Sequence, residues 1–171
     1  MGTVFHRAIQ QIADQGVDRW DVARIGKCAL VHRALLRQLG VPESELEVAT
    51  GLVRQALVNT LEDERGRWIL DPGHREAHNE FMVSGLHRGR PVKAILDRTF
   101  VDTDGMRWII DYKTSRHEGA DRDAFLQREL ERYAEPLARY RSLLTALHPQ
   151  PVTAALYFPL LRGWICAEQR I

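Results

Sequence analysis

The chain has 171 residues, a hydrophobic fraction of 44%, a charged fraction of 27% and a formal net charge of +1. Those values describe a single globular domain with enough apolar mass for a core, and they exclude a disordered or fibrous chain. They also lack the markedly basic signature of a dedicated nucleic-acid binder, while leaving room for local basic patches around an acidic site. No apolar run approaches the roughly 18 residues of a membrane span, and no signal-peptide pattern opens the chain. Cys28 and Cys166 form neither a C-x-x-C pair nor a disulfide framework. That fits a reducing cytoplasm and leaves no four-cysteine iron–sulfur site.

The first 70 residues read as mostly helical. Gly2 to Gly16 is a short amphipathic helix with Thr3 as N-cap, Phe5, Ile9 and Ile12 as its apolar stripe, and His6 on the edge of that stripe. A second helix is expected from about Trp20 to Leu39, closed by Gly40 and carrying His32. A third starts at Pro42 and runs to about Glu62, with Leu46, Val53, Leu57 and Leu61 near heptad spacing. Packing is the expected role of both. Asp63 to Arg67 reads as a charged break, followed by a short buried turn at Trp68-Ile69-Leu70.

From Arg75 the periodicity becomes strand-like. Glu76 and Glu80 stand just ahead of an apolar stretch, and Gly85-Leu-His-Arg-Gly-Arg90 reads as a cationic hairpin loop containing Arg88 and Arg90. Val92 to Val101 is the strand that carries Asp97, and Arg107 to Thr114 the one that carries Asp111 and Lys113. Two residues apart on a strand, Asp111 and Lys113 share a face, and Tyr112 points to the other. The turn decides whether Asp97 joins them. A two-residue turn at Asp104-Gly105 places Asp97 opposite Tyr112. A three-residue loop Thr103-Asp104-Gly105, with Gly105 left-handed, places it opposite Asp111. The plain alternative is a structural ion pair. Two carboxylates to one ammonium leave excess negative charge, which a divalent cation would neutralise.

Beyond the hairpin, Ser115 to Gly119 reads as a loop with Arg116 and His117. Asp121 can cap a long helix to about Leu147, with Tyr133, Leu137 and Tyr140 near one face and Pro136 kinking or splitting it. Pro151 to Phe158 is a further strand expected beside the central hairpin, and Leu161 to Arg170, with Trp164, one more edge strand.

The run I-L-D-R-T-F-V-D-T-D-G-M-R-W-I-I-D-Y-K-T-S-R-H-E-G from Ile95 to Gly119 resembles the RecB-family nuclease domains of the PD-(D/E)xK superfamily, as found at the C-terminus of UvrD-like helicases and exonuclease V-type chains. Gly2-Thr3-Val4-Phe5-His6-Arg7 resembles that family's first motif, and Tyr133, Leu137 and Tyr140 match a later one, with Pro136 at its glutamine position. His32 lacks the leading Gly-Thr and is the weaker candidate. The resemblance implies an α/β, restriction-endonuclease-like fold over residues 1–171. Its core would be a mixed sheet with an antiparallel central hairpin flanked by helices, with a helical part at 1–70 and a sheet-bearing core at 74–171.

It further implies a Mg²⁺- or Mn²⁺-dependent deoxyribonuclease, an exonuclease on single-stranded DNA, excised from a larger helicase–nuclease of DNA repair and recombination. His6, Asp97, Asp111 and the Tyr112 backbone carbonyl would bind metal, with Lys113 at the attacking water. Glu80 and Glu76 would act through water, and Tyr133, Tyr140, Arg88, Arg90 and Arg116 would contact DNA. Pro136 favours the alternative, a degenerate nuclease fold that only binds DNA or braces a helicase.

Overall fold

The computed structural model describes residues 1–117 and 119–167, so Glu118 of the loop and the last residues of the final predicted strand lie outside it. The chain divides into two compact units. The first holds Met1–Pro72 with Lys113–Arg116 and Phe158–Arg162. Among the described residues, the second holds Gly73–Tyr112, His117–Tyr157 and Gly163–Ala167. No helix of the described residues is long and apolar enough to cross a membrane.

In the first unit α1 (Gly2–Gln15) buries Val4, Phe5, Ala8, Ile9 and Ile12, the expected stripe. Met1 rather than Thr3 occupies the N-cap position, and Gly16 at φ 89° ends the helix. The expected second helix is two helices, α2 (Val22–Lys27) and α3 (Ala29–Gln38), joined at Cys28. Asp21 starts α2 by accepting the Arg24 N–H at 2.7 Å. α4 (Glu43–Glu62) matches its predicted span, and Leu46, Val53 and Leu57 are fully enclosed. The charged break is itself a helix, α5 (Glu64–Ile69), because the Asp63 carboxylate accepts the Gly66 N–H at 3.1 Å and caps it.

The second unit is built on a five-stranded sheet in the order β1-β2-β3-β4-β5. The strands are β1 (Arg75–His87), β2 (Arg90–Val101), β3 (Arg107–Tyr112), β4 (Val152–Phe158) and β5 (Gly163–Ala167). β1, β2 and β3 pair antiparallel, and β4 lies parallel to β3. With α6 (Arg122–Arg132) and α7 (Ala134–Leu147) this is the mixed, helix-flanked sheet that was expected. β4 is buried along its whole length, as a strand covered on both faces should be.

Two turns set the sheet's registers. The β1–β2 hairpin closes with Arg88 and Gly89 alone, at φ 51° and 74°, between the paired His87 and Arg90. Both positive angles suit a two-residue turn that follows the strand twist. The predicted six-residue loop is therefore mostly strand. Gly85 explains why: a Cβ there would meet Leu143 Cδ2 of α7 at 2.9 Å, so the strand continues by running close under the helix. The β2–β3 connection is the three-residue loop Thr103-Asp104-Gly105, with Gly105 at φ 82°. Asp102 organises it by accepting the N–H groups of Asp104 (3.0 Å) and Met106 (2.9 Å) and the indole N–H of Trp108 (2.6 Å).

The predicted long helix is split between α6 and α7 at Tyr133, three residues before Pro136. A proline has no N–H to give the carbonyl four residues back, and its ring crowds that turn. In the third position of a new helix neither cost arises, because the first turn's N–H groups have no intrahelical partner anyway. Leu137 resumes the ladder by donating to Tyr133 O at 3.0 Å. Asp121 caps α6 as expected, accepting the Ala124 N–H at 2.9 Å.

Candidate active site

Three acids stand in a row across three neighbouring strands. β2 and β3 pair with Arg98 opposite Ile110 and Thr99 opposite Ile109. One further step in that register puts Asp97 opposite Asp111, the alternative that a three-residue loop selects. β1 and β2 pair with Asn79 opposite Arg98 and Phe81 opposite Leu96, so Glu80 falls opposite Asp97. Cross-strand partners project to the same face. The ladder skips Glu80, whose φ is +47°. A left-handed backbone on a glutamate costs about 1–2 kcal/mol and re-aims the side chain. A Glu80 carboxylate oxygen lies within 4.8 Å of one from Asp97.

Asp97 also closes the end of the hairpin. Its Oδ2 accepts the backbone N–H of Tyr112 at 2.8 Å, just beyond the last ladder pair, Arg98 and Ile110. Asp111 is buried. Tyr112 turns to the opposite face, against Tyr157 in an edge contact at 6.3 Å. Burial pushes its phenol well above the ordinary tyrosine range, with Asp97 adding to the shift and Arg98 opposing it. It stays protonated and structural.

β3 ends at Tyr112, one residue before Lys113 and two short of the expected Thr114. Lys113 belongs instead to the short segment counted with the helical unit. There Thr114 meets the head of α1: a Cβ on Gly2 would sit 3.3 Å from Thr114 Oγ1. The glycine of Gly2-Thr3 is thus a close-approach position, one turn before His6 on the same helix. His6 is half-buried and lies edge-on to Phe5, with ring centroids 6.0 Å apart.

The weaker candidates are dispersed. Glu76 does not accompany Glu80. It pairs with Arg107, whose side chain is 1% exposed. Glu135, next to Pro136, is held by the β1–β2 turn, 3.6 Å from His87 and 3.5 Å from Arg88. Tyr133 marks the α6–α7 junction under the Arg132 guanidinium, Tyr140 is half-buried on α7, and Arg90 and Arg116 are exposed.

The model of the PD-(D/E)XK nuclease superfamily matches residues 1–163. The chain belongs to this superfamily. No curated protein matches it. PD-(D/E)XK nucleases use divalent metals, and the donor set fits one: the hard carboxylate oxygens of Glu80 and Asp97 are close together, and the β2–β3 register puts Asp111 opposite Asp97. Sequence reasoning ranked Glu80 with Glu76. Only the left-handed backbone separates them from the expected picture, and Glu76 shares it at φ 49°, so no local signal distinguishes the two.

Two expected results arise here. Glu80→Gly removes the left-handed strain and should leave the fold unchanged or up to about 1 kcal/mol more stable, while weakening Mn²⁺ binding. Thermal unfolding with and without Mn²⁺ checks both signs. His32 is buried on α3, its Nδ1 without a hydrogen-bond partner among the described residues, and burial holds its pKa below the usual histidine value. The unfolded chain therefore binds a proton that the folded one resists. Stability should fall as pH drops through about 6.5, and His32→Leu should flatten that slope in unfolding titrations.

Proposed function

We propose that this chain is a Mg²⁺- or Mn²⁺-dependent DNA nuclease acting on single strands. The observation that carries the reading is the row of Glu80, Asp97 and Asp111 across β1, β2 and β3, in a chain of the PD-(D/E)XK superfamily. Asp97, Asp111, His6 and the Tyr112 carbonyl hold the cation, and Glu80 joins directly or through water. An extended residue projects its N–H and C=O to the same edge. The Tyr112 amide bonded to Asp97 therefore favours a carbonyl available on that side.

A divalent cation held there neutralises phosphate charge and lowers the pKa of a bound water. Lys113 orients the attacking water and offsets the charge that develops on the phosphate. Asp111 and Asp97 keep that ammonium drawn to the site. Tyr133, Tyr140, Arg88, Arg90 and Arg116 are the proposed strand contacts. A helicase neighbour in DNA repair or recombination would deliver unwound strands, in a cytoplasmic setting that the two free cysteines favour.

Pro136 favours a second reading, a nuclease fold that binds DNA without cutting it. Asp111→Ala separates the two. A nuclease loses cleavage of labelled single-stranded DNA and keeps binding. A binding module shows no cleavage in the wild type and no change in binding.

A further inference from the structure

The β1–β2 ribbon continues past Glu80 and Asp97 as an arm with one face open. On that face Met82 pairs with Ile95, Ser84 with Lys93 and Leu86 with Pro91, in the same alternation as Glu80 and Asp97. Met82 is 70% exposed, Leu86 65% and Ile95 53%. Single exposed apolar residues are ordinary, but an exposed cross-strand pair, Met82 with Ile95, and a third, Leu86, just past the Ser84–Lys93 pair on the same ribbon face are not. The opposite face is used: Val83, Ala94 and Leu96 are buried, and Gly85 runs under Leu143.

Charge on the arm is one-sided. Residues 81–96 contain Arg88, Arg90, Lys93 and His87 and no carboxylate. Lys93 and Arg90 form no ion pair among the described residues, whereas Arg88 and His87 face Glu135. The face thus alternates apolar ledges with an available ammonium, and it runs directly into the acids. An uncharged partner matches the apolar residues alone. A strand with unstacked bases and a phosphate backbone matches both.

We propose that the open face of this arm is the track on which a single-stranded nucleic acid lies. Bases rest on Met82, Ile95 and Leu86, a phosphate meets Lys93, and the strand leads towards Glu80 and Asp97. The direction of travel rests on the nuclease reading; the binding face does not.

Fluorescence anisotropy in EDTA, with a labelled oligothymidylate and a labelled hairpin duplex, tests it. Met82→Ser with Ile95→Ser should weaken oligothymidylate binding about fivefold and leave both duplex binding and the salt slope unchanged, since paired bases hide their faces. Lys93→Ala should make the slope of log K against log salt shallower by about 0.7, one single-strand phosphate contact. Wild-type binding that neither variant alters would overturn the track and leave the nuclease reading standing if cleavage persists. No strand binding by the wild type would overturn it too, as would light scattering that shows a dimer dissolved by the apolar change, which makes the face an interface between copies. If the variants behave as expected but the wild type cleaves nothing, the track holds and the nuclease reading fails.

Discussion

Asp97→Ala is expected to slow DNA cleavage on the order of 10³-fold, which corresponds to about 4 kcal/mol of transition-state stabilisation. Two losses coincide in this variant. One carboxylate leaves the acid row, so the cation that neutralises the phosphate is held less well. The Tyr112 N–H loses its 2.8 Å acceptor at the end of the hairpin, a cost of about 1–2 kcal/mol in stability. Asp97→Asn divides them. The amide oxygen can still accept from Tyr112, so unfolding should stay near wild type, but the charge is gone and cleavage should be nearly as slow as in the alanine variant. Initial rates on labelled single-stranded DNA, paired with thermal unfolding of each variant, make the comparison. Equal cleavage by the asparagine variant and the wild type would show that Asp97 is only a backbone acceptor.

The second large effect is on stability. Arg107 is 1% exposed, and its guanidinium meets the carboxylate of Glu76, which is half exposed. The bridge ties β1 to the central strand β3, and Arg107 also donates its backbone N–H to Pro151 O at 2.9 Å, just ahead of β4. Removing the acid leaves a buried cation without its counter-charge, and that asymmetry makes breaking such a pair costlier than never having it. Glu76→Ala should cost about 3 kcal/mol, somewhat less if water reaches the guanidinium past the missing side chain. Arg107→Met combined with Glu76→Leu should recover most of that loss. Urea unfolding of the two single variants and the double variant measures the coupling. A neutral Glu76→Ala would mean that the pair is solvated.

The readable parts of the sequence were those in which one residue type answers one physical demand. Gly105 announced a turn but suited a two-residue and a three-residue loop alike; the β2–β3 register decides for the three-residue loop, with Gly105 at φ 82° and Asp97 opposite Asp111. The stripe of Phe5, Ile9 and Ile12 announced α1 through its period. The α2–α3 break at Cys28 follows Gly26 by two residues, and the expected single helix runs through that glycine. The start of α2 depends on a cap, and Asp21 resembles any surface acid until its neighbour's N–H is known. Asp63 misled for the same reason, reading as part of a charged break while capping α5. Pro136 required a kink or a split, and the chain splits at Tyr133, so that the proline falls in a first turn that tolerates it. The left-handed Glu80 was invisible, since nothing local asks a glutamate for φ 47°. The strand expected to reach Thr114 stops at Tyr112, one residue before Lys113.

The central claim is that the acid row holds a divalent cation, and Mn²⁺ titration by calorimetry tests it most directly. The wild-type chain should bind Mn²⁺ stoichiometrically, and Asp97→Ala with Asp111→Ala should bind none, with both proteins folded by circular dichroism. No heat from the folded wild type, or equal binding by the double variant, would contradict the account and leave a DNA-binding fold without a metal site.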